Sequence, residues 1–340
     1  MQRFLLVVSI LILGCISLAA ITQADVGPCP VFPADNYWNK DISAAPIHPQ
    51  SAAIIANINS HGGETIHPDF GGEMDDYYGL PWITVTNNQT PVDSISFEYD
   101  EESDHVPYTI PYDVPIEGVP GAEEGDRHVI VINEDTCILY ELYAASFTGD
   151  ETPGNNTWEA GSGAVFDLNS NGLRPDTWTS ADAAGLPIFA GLARCDEASS
   201  GTINHALRFT ISKPRTVDGY TDGVQNNAYI FPARHEAGDH TEAHSPPFGA
   251  RLRLKADYPE EGFHGQSLTI VKALKRYGMI LADIGSNWFI TGDYPVYQPG
   301  CWNNDEVGGL KDIPGTAFEV LAYPDMSALP VPHFSTLTPP

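Results

Sequence analysis

Short apolar runs broken by turn residues are the feature that most limits the folds open to this chain. They recur as PWITVTN (81–87), SISFEY (94–99), HVIVIN (128–133), TCILYELYAA (136–145), AGSGAVFDL (160–168), HALRFTIS (205–212), AYIFPA (228–233), ARLRLK (250–255), and MILADI with NWFITG (279–292). Gly, Pro, Asn and Asp separate them, and each run has the length of a strand rather than of a helix. The pattern predicts a mainly β protein, a single β-sandwich or barrel-like domain with a few peripheral helices. Helical periodicity is confined to PQSAAIIANI (49–58), GQSLTIVKALKRYG (265–278) and NNDEVGGLKDI (303–313). In the second of these, Leu268, Val271, Leu274 and Tyr277 form an apolar stripe, and Gly278 follows as a stop. One domain over residues 25–340, with its N-terminal segment wrapped across it, is the expected organisation.

Residues 1–24 read as a secretory signal. Arg3 precedes the apolar run FLLVVSILILG, and Thr22 and Ala24 supply small residues before a cut. A lipoprotein signal ending at Cys15 is the less favoured alternative. No other run reaches the roughly 20 apolar residues of a membrane span. In an exported chain, Cys29, Cys137, Cys195 and Cys301 imply two disulfides, with three pairings open. The 45 acidic and 16 basic residues give a net charge of −29, which excludes nucleic acid as a partner.

Several groups have the chemistry of a site. Glu141 lies in a strand apolar on both faces, so dehydration should raise its pKa. Asp167, Asn169 and Asn171 followed by Gly172 match the opening of a calcium loop, although the twelfth position is Trp178 rather than Glu. The same loop offers Arg174, Asp176, Trp178 and Asp182, an aromatic surface beside polar groups suited to a sugar. RLRLK places Arg251, Arg253 and Lys255 on one strand face, joined by Arg208 and Arg234 if the strands are neighbours. These pair with carboxylates across strands, the favoured reading, or bind an anionic ligand such as a uronate. In PARHEAGDHTEAH (232–244), His240 and His244 stand four apart without an HExxH, and an ordinary surface loop is favoured over a zinc or copper site. Arg234 and His235 end an apolar run and are candidates for a cleft. No GxSxG, Walker A or Rossmann glycine pattern is present, which disfavours esterase, nucleotide and redox-cofactor chemistry.

The stretches DNYWNKDIS, HPDFGG, SADAAGLPI, INHALRFT, YIFPARH, GARLRLKA and LKRYGMILADIGSNWFITG extend over most of the mature sequence. Through them the chain resembles a family of exported, largely uncharacterised bacterial β-rich proteins. The resemblance implies one integral domain and carries no mechanism.

The favoured expectation is a secreted glycoside hydrolase acting on a polysaccharide or cell-surface glycan through a carboxylate pair. Glu141 or Asp167 would be the acid and Asp182 or Asp283 its partner, with His205 and Arg208 positioning substrate. A polysaccharide lyase follows, with Arg208, Arg234 or Arg251 neutralising a uronate while His205 or His235 and a Tyr move protons. A non-catalytic carbohydrate-binding or cell-surface protein is the third reading, with calcium as a possible ligand and no cofactor required.

Overall fold

The computed structural model describes residues 25–71, 77–121, 125–150, 152, 154–216 and 228–324. The expected signal segment lies outside them, as does Gly72, the last residue of HPDFGG. The described residues are mainly β, arranged in several sheets with short helices and no closed barrel among them.

Ten strands build the two largest sheets: β1 (His67–Asp69), β2 (Ile83–Val85), β3 (Val129–Asn133), β4 (Ile138–Tyr143), β5 (Ser162–Asp167), β6 (Leu207–Ile211), β7 (Arg251–Leu254), β8 (Met279–Ile284), β9 (Phe289–Thr291) and β10 (Phe318–Val320). The six-stranded sheet runs β10-β7-β8-β6-β9-β1, and the four-stranded sheet runs β5-β4-β3-β2. Parallel pairs β6–β8, β9–β1 and β2–β3 are mixed with antiparallel ones. A third sheet joins Ser94–Phe97, Thr157–Ala160 and Ser146–Phe147.

The helices are α1 (Ser51–Ser60), α2 (Cys195–Ser200), α3 (Gly265–Arg276) and α4 (Asn304–Val307). Helix α3 is amphipathic: Ile270, Val271, Ala273 and Leu274 are buried against the sheet core, while Lys272 faces solvent. It stops where Gly278 turns the chain straight into β8. That glycine has φ +69°, and a Cβ there would lie 2.2 Å from the Leu252 carbonyl, so no other residue fits.

AYIFPA is not a strand. Pro232 has no N–H for a ladder, and the Ala233 N–H turns back to the Ile230 carbonyl at 2.9 Å. Only an isolated bridge from Tyr229 to Phe248 remains of the expected run.

Two disulfides, Cys29–Cys137 and Cys195–Cys301, tie the N-terminal segment to the approach to β4 and α2 to the loop before α4. Arginines of β7 hold the rest of that segment. Arg251 donates to the Tyr37, Lys40 and Tyr277 carbonyls, and Arg253 to those of Ile42 and Ser43.

Candidate functional site

A buried group of charges occupies the junction of the two large sheets. Its centre is Arg208 on β6. The guanidinium donates to both oxygens of Asp182, at 3.0 and 2.8 Å, to Thr291 Oγ1 at 2.7 Å, and to Asp283 Oδ2 at 3.3 Å. Such a forked arrangement suits arginine, whose planar donors match a carboxylate edge.

Asp283 reaches this group through an irregularity in the sheet. Along the parallel pair β6–β8, Arg208 opposes Ile280 and Phe209 opposes Leu281, but Thr210 opposes Asp283. Ala282 is the extra residue. Side chains of opposed residues share a face, so regular pairing would place Ala282 beside Thr210 and send Asp283 to the other side. The bulge re-aims Asp283 onto the Arg208 face. The carbonyl of Ala282 accepts the Ala184 N–H at 2.9 Å, which anchors the turn carrying Asp182.

The four-stranded sheet supplies the opposite side. His128, immediately before β3, places Nδ1 2.6 Å from Glu117 Oε2 and Nε2 3.0 Å from the Ala181 carbonyl. Burial opposes charge on His128, yet the Glu117 carboxylate outweighs it and lifts the pKa to about 9. Glu117 is likewise opposed by burial and is lowered by His128. Glu141 on β4 is fully enclosed and accepts the N–H groups of Ile188 and Phe189 at 3.0 and 2.8 Å. Burial raises its pKa to about 7 against those two donors. Asp69 at the end of β1 is also raised, by burial and then by Glu117.

Above this group opens a cleft of about 500 Å³, lined by Tyr99, Glu102, Asp126, Tyr143, Asp182, His235, Glu236 and Asp283 among others. Asp283 retains 22 % exposure whereas Asp182 has none. Burial and the neighbouring Asp182 charge push the Asp283 carboxyl up to about 7, against the pull of Arg208. Thus one carboxyl of the wall holds a proton near neutrality, and the one beneath it is locked into a salt bridge. Asp126 and Asp283 both act on the Tyr143 phenol and raise it, after burial.

The expected site residues separate into two sets. Asp182, Asp283 and His235 line the cleft, and Arg208 lies beneath it. His235 donates from Nδ1 to the Ala183 carbonyl at 2.8 Å and faces Glu102 at 3.7 Å. The rest are engaged elsewhere. Glu141 is enclosed below and clasps the chain at 188–189. Asp167 caps its own turn by accepting the Asn169 N–H at 2.9 Å. Both halves of the Asn171 amide bond to Asp35 and Asn36, so that side chain secures the N-terminal segment. His205 precedes the strand and is sealed, its ring held by Glu197 and the Ala206 carbonyl.

Among the arginines, Arg174 pairs with Asp104, donates to the Glu102 carbonyl and stacks under Trp178 at 5.6 Å. Arg234 pairs with Asp176 at 2.9 Å. Arg253 meets Glu319, which lies directly opposite it on β10. Arg251 spends its donors on backbone carbonyls. None of these four lines the cleft.

Sequence reasoning passed over Glu117, Asp126, His128, Tyr143 and Asp69. The signal available was His128 at the head of an unbroken apolar strand, where an ionisable ring needs a partner once buried. Nothing in the sequence pointed to Glu117, eleven residues earlier. Comparison of the chain with family models, with curated proteins and with solved structures gives no match.

Proposed function

We propose that this protein is an exported glycoside hydrolase whose active site is the cleft over Arg208. The observation that carries the reading is Asp283: a part-exposed carboxyl in a walled cleft, held at about 7, with the carboxylate of Asp126 in the same cleft lining. A general acid at neutral pH needs that condition. Asp283 protonates the departing glycosidic oxygen. The second carboxylate is Asp126, which lines the same cleft and acts on the sugar as base or nucleophile. Asp182 is not that partner, because Arg208 occupies both its oxygens; the two together position Asp283. Tyr99 and Tyr143 offer ring faces to a sugar.

The substrate is a neutral glycan. Glu102, Asp126, Asp182, Glu236 and Asp283 make the wall acidic, and Arg208, Arg234 and Arg251 are already engaged, which disfavours uronate chemistry and a lyase. Two disulfides fit an oxidising, extracellular setting. Among the described residues no helix is long and apolar enough to cross a membrane.

The test is incubation of the mature protein with neutral and uronate polysaccharides, following new reducing ends and the ultraviolet absorbance of unsaturated uronates. Reducing ends without absorbance are expected, and Asp283→Asn should remove them. Absorbance would turn the reading to a lyase, and binding without either signal to a carbohydrate-binding protein.

A further inference from the structure

A second cluster lies at the C-terminal end of α1, outside the cleft lining. His61, which follows the last residue of the helix, donates from Nδ1 to the Asn57 carbonyl at 2.9 Å. That bond leaves Nε2 as the ring's lone pair. Nε2 points at Glu242 Oε2, 3.0 Å away. His240 brings its own Nε2 to within 3.7 Å of the same carboxylate oxygen. The His240 nitrogen is buried and has no hydrogen-bond partner. The two rings meet edge to face, with centroids 5.2 Å apart.

An ion pair does not account for this arrangement. One carboxylate oxygen is satisfied by one imidazolium, and a second ring nitrogen sealed beside it without a partner is then unexplained. A cation resolves it, because the three ligand atoms all lie within 4.8 Å of one another. Tetrahedral zinc, with bonds of about 2.0–2.1 Å, separates its ligand atoms by about 3.3 Å. The spacings of 3.0 and 3.7 Å straddle that value. Asn57 adds the outer support such sites carry: its carbonyl fixes the tautomer of His61, and its amide donates to Glu242 Oε2 at 3.4 Å and to the Ala243 carbonyl at 3.1 Å. Glu242 is 56 % exposed, so an ion has a path from solvent and a fourth position open to water.

We propose that His61, His240 and Glu242 bind a divalent transition ion of the zinc class, which clamps the loop carrying His240 and Glu242 onto the end of α1. Two nitrogens and one carboxylate select such an ion over calcium or magnesium, which take oxygen ligands. The same loop begins with His235 and Glu236, which line the cleft, so the ion fixes the far end of one cleft wall. The site stands whether or not the cleft hydrolyses glycans.

The experiment uses the untagged mature protein, stripped with a chelator and desalted, then titrated with zinc chloride by calorimetry and by competition with a chromogenic chelator. One equivalent should bind. His61→Ala/His240→Ala should weaken binding at least a hundredfold, Glu242→Gln about tenfold, and the exposed His105→Ala not at all. Metal-free Glu242→Gln should melt with the metal-free wild type, since that side chain is 56 % exposed, so its weaker zinc binding is read on an intact fold. Failure of the wild type to take up zinc overturns the proposal on its own. So does undiminished zinc binding by the double variant.

Discussion

Arg208 grips Asp182 through two parallel hydrogen bonds, Nε to Oδ2 at 3.0 Å and Nη2 to Oδ1 at 2.8 Å, with both side chains almost sealed from water. The nitrogen that completes this fork also faces Asp283. A buried pair that also supports a third group is more costly to break than to replace, because breaking it strands a charge. Two carboxylates depend on this one cation.

Arg208→Met should therefore destabilise the protein by about 3–5 kcal/mol at pH 7. Arg208→Lys should recover little, since an ammonium cannot reproduce the fork. Arg208→Met/Asp182→Leu should lose less than the sum of its two single variants, because it leaves neither group of the pair unmatched. Urea unfolding followed by circular dichroism compares the four variants with the wild type. A single Met variant as stable as wild type would show that the fork contributes nothing.

On the proposed hydrolase chemistry, Asp283→Asn should lower kcat/KM by about 10²–10⁴-fold while leaving the melting temperature within a few degrees. The proton is present below the pKa and absent above it. Wild-type kcat/KM should accordingly fall as pH rises through about 7, and Asp283→Asn should lack that limb. Asp126→Asn should be impaired to a similar degree. A wild-type profile flat from pH 5 to 9 would remove Asp283 from the role.

The Glu117–His128 pair predicts a window of stability. His128 titrates near 6.5 when unfolded and about 9 when folded, so its contribution is complete below 6.5 and disappears as pH rises through 9. Glu117 is lowered on folding, so its contribution is present above its ordinary value of 4.5 and is lost as pH falls. Unfolding free energy should decline between pH 6.5 and 9.5 by about 2–3 kcal/mol. His128→Gln should flatten that decline. An unchanged slope in the variant would show that another group sets it.

Cys195–Cys301 closes a loop of 106 residues and joins α2 to the segment before α4. Replacing both cysteines by serine should cost about 4 kcal/mol through the freed unfolded chain. Cys29→Ser/Cys137→Ser should in addition release the N-terminal segment, so limited proteolysis should cut between residues 27 and 36 before any other site. Simultaneous cutting across the chain would indicate that Arg251 and Arg253 hold the segment without the disulfide.

Local patterns carried the β character, helix α3 and the presence of two disulfides. A strand is announced by the residues within it. Leu207, Phe209 and Ile211 must go to one face whatever lies opposite. The stripe on α3 and the stop at Gly278 were legible for the same reason: they depend on neighbours within one helical turn. The four cysteines beyond the expected signal segment implied pairing but left the partners open, because pairing depends on which distant segments meet.

The site was less legible, and Asp283 shows why. Its alternation within MILADI says nothing about Ala282, whose extra place in the ladder exists only against β6, and it is this shift that turns Asp283 to Arg208. His128 and Glu117, or His61 and Glu242, are partners because chain segments remote from each other pack together. Most elements could be read along the chain, AYIFPA excepted, because propensity and periodicity act over a few residues. Which charges share a burial site followed from the packing of distant segments, because charge pairing in a dry interior depends on separation in space and not along the chain.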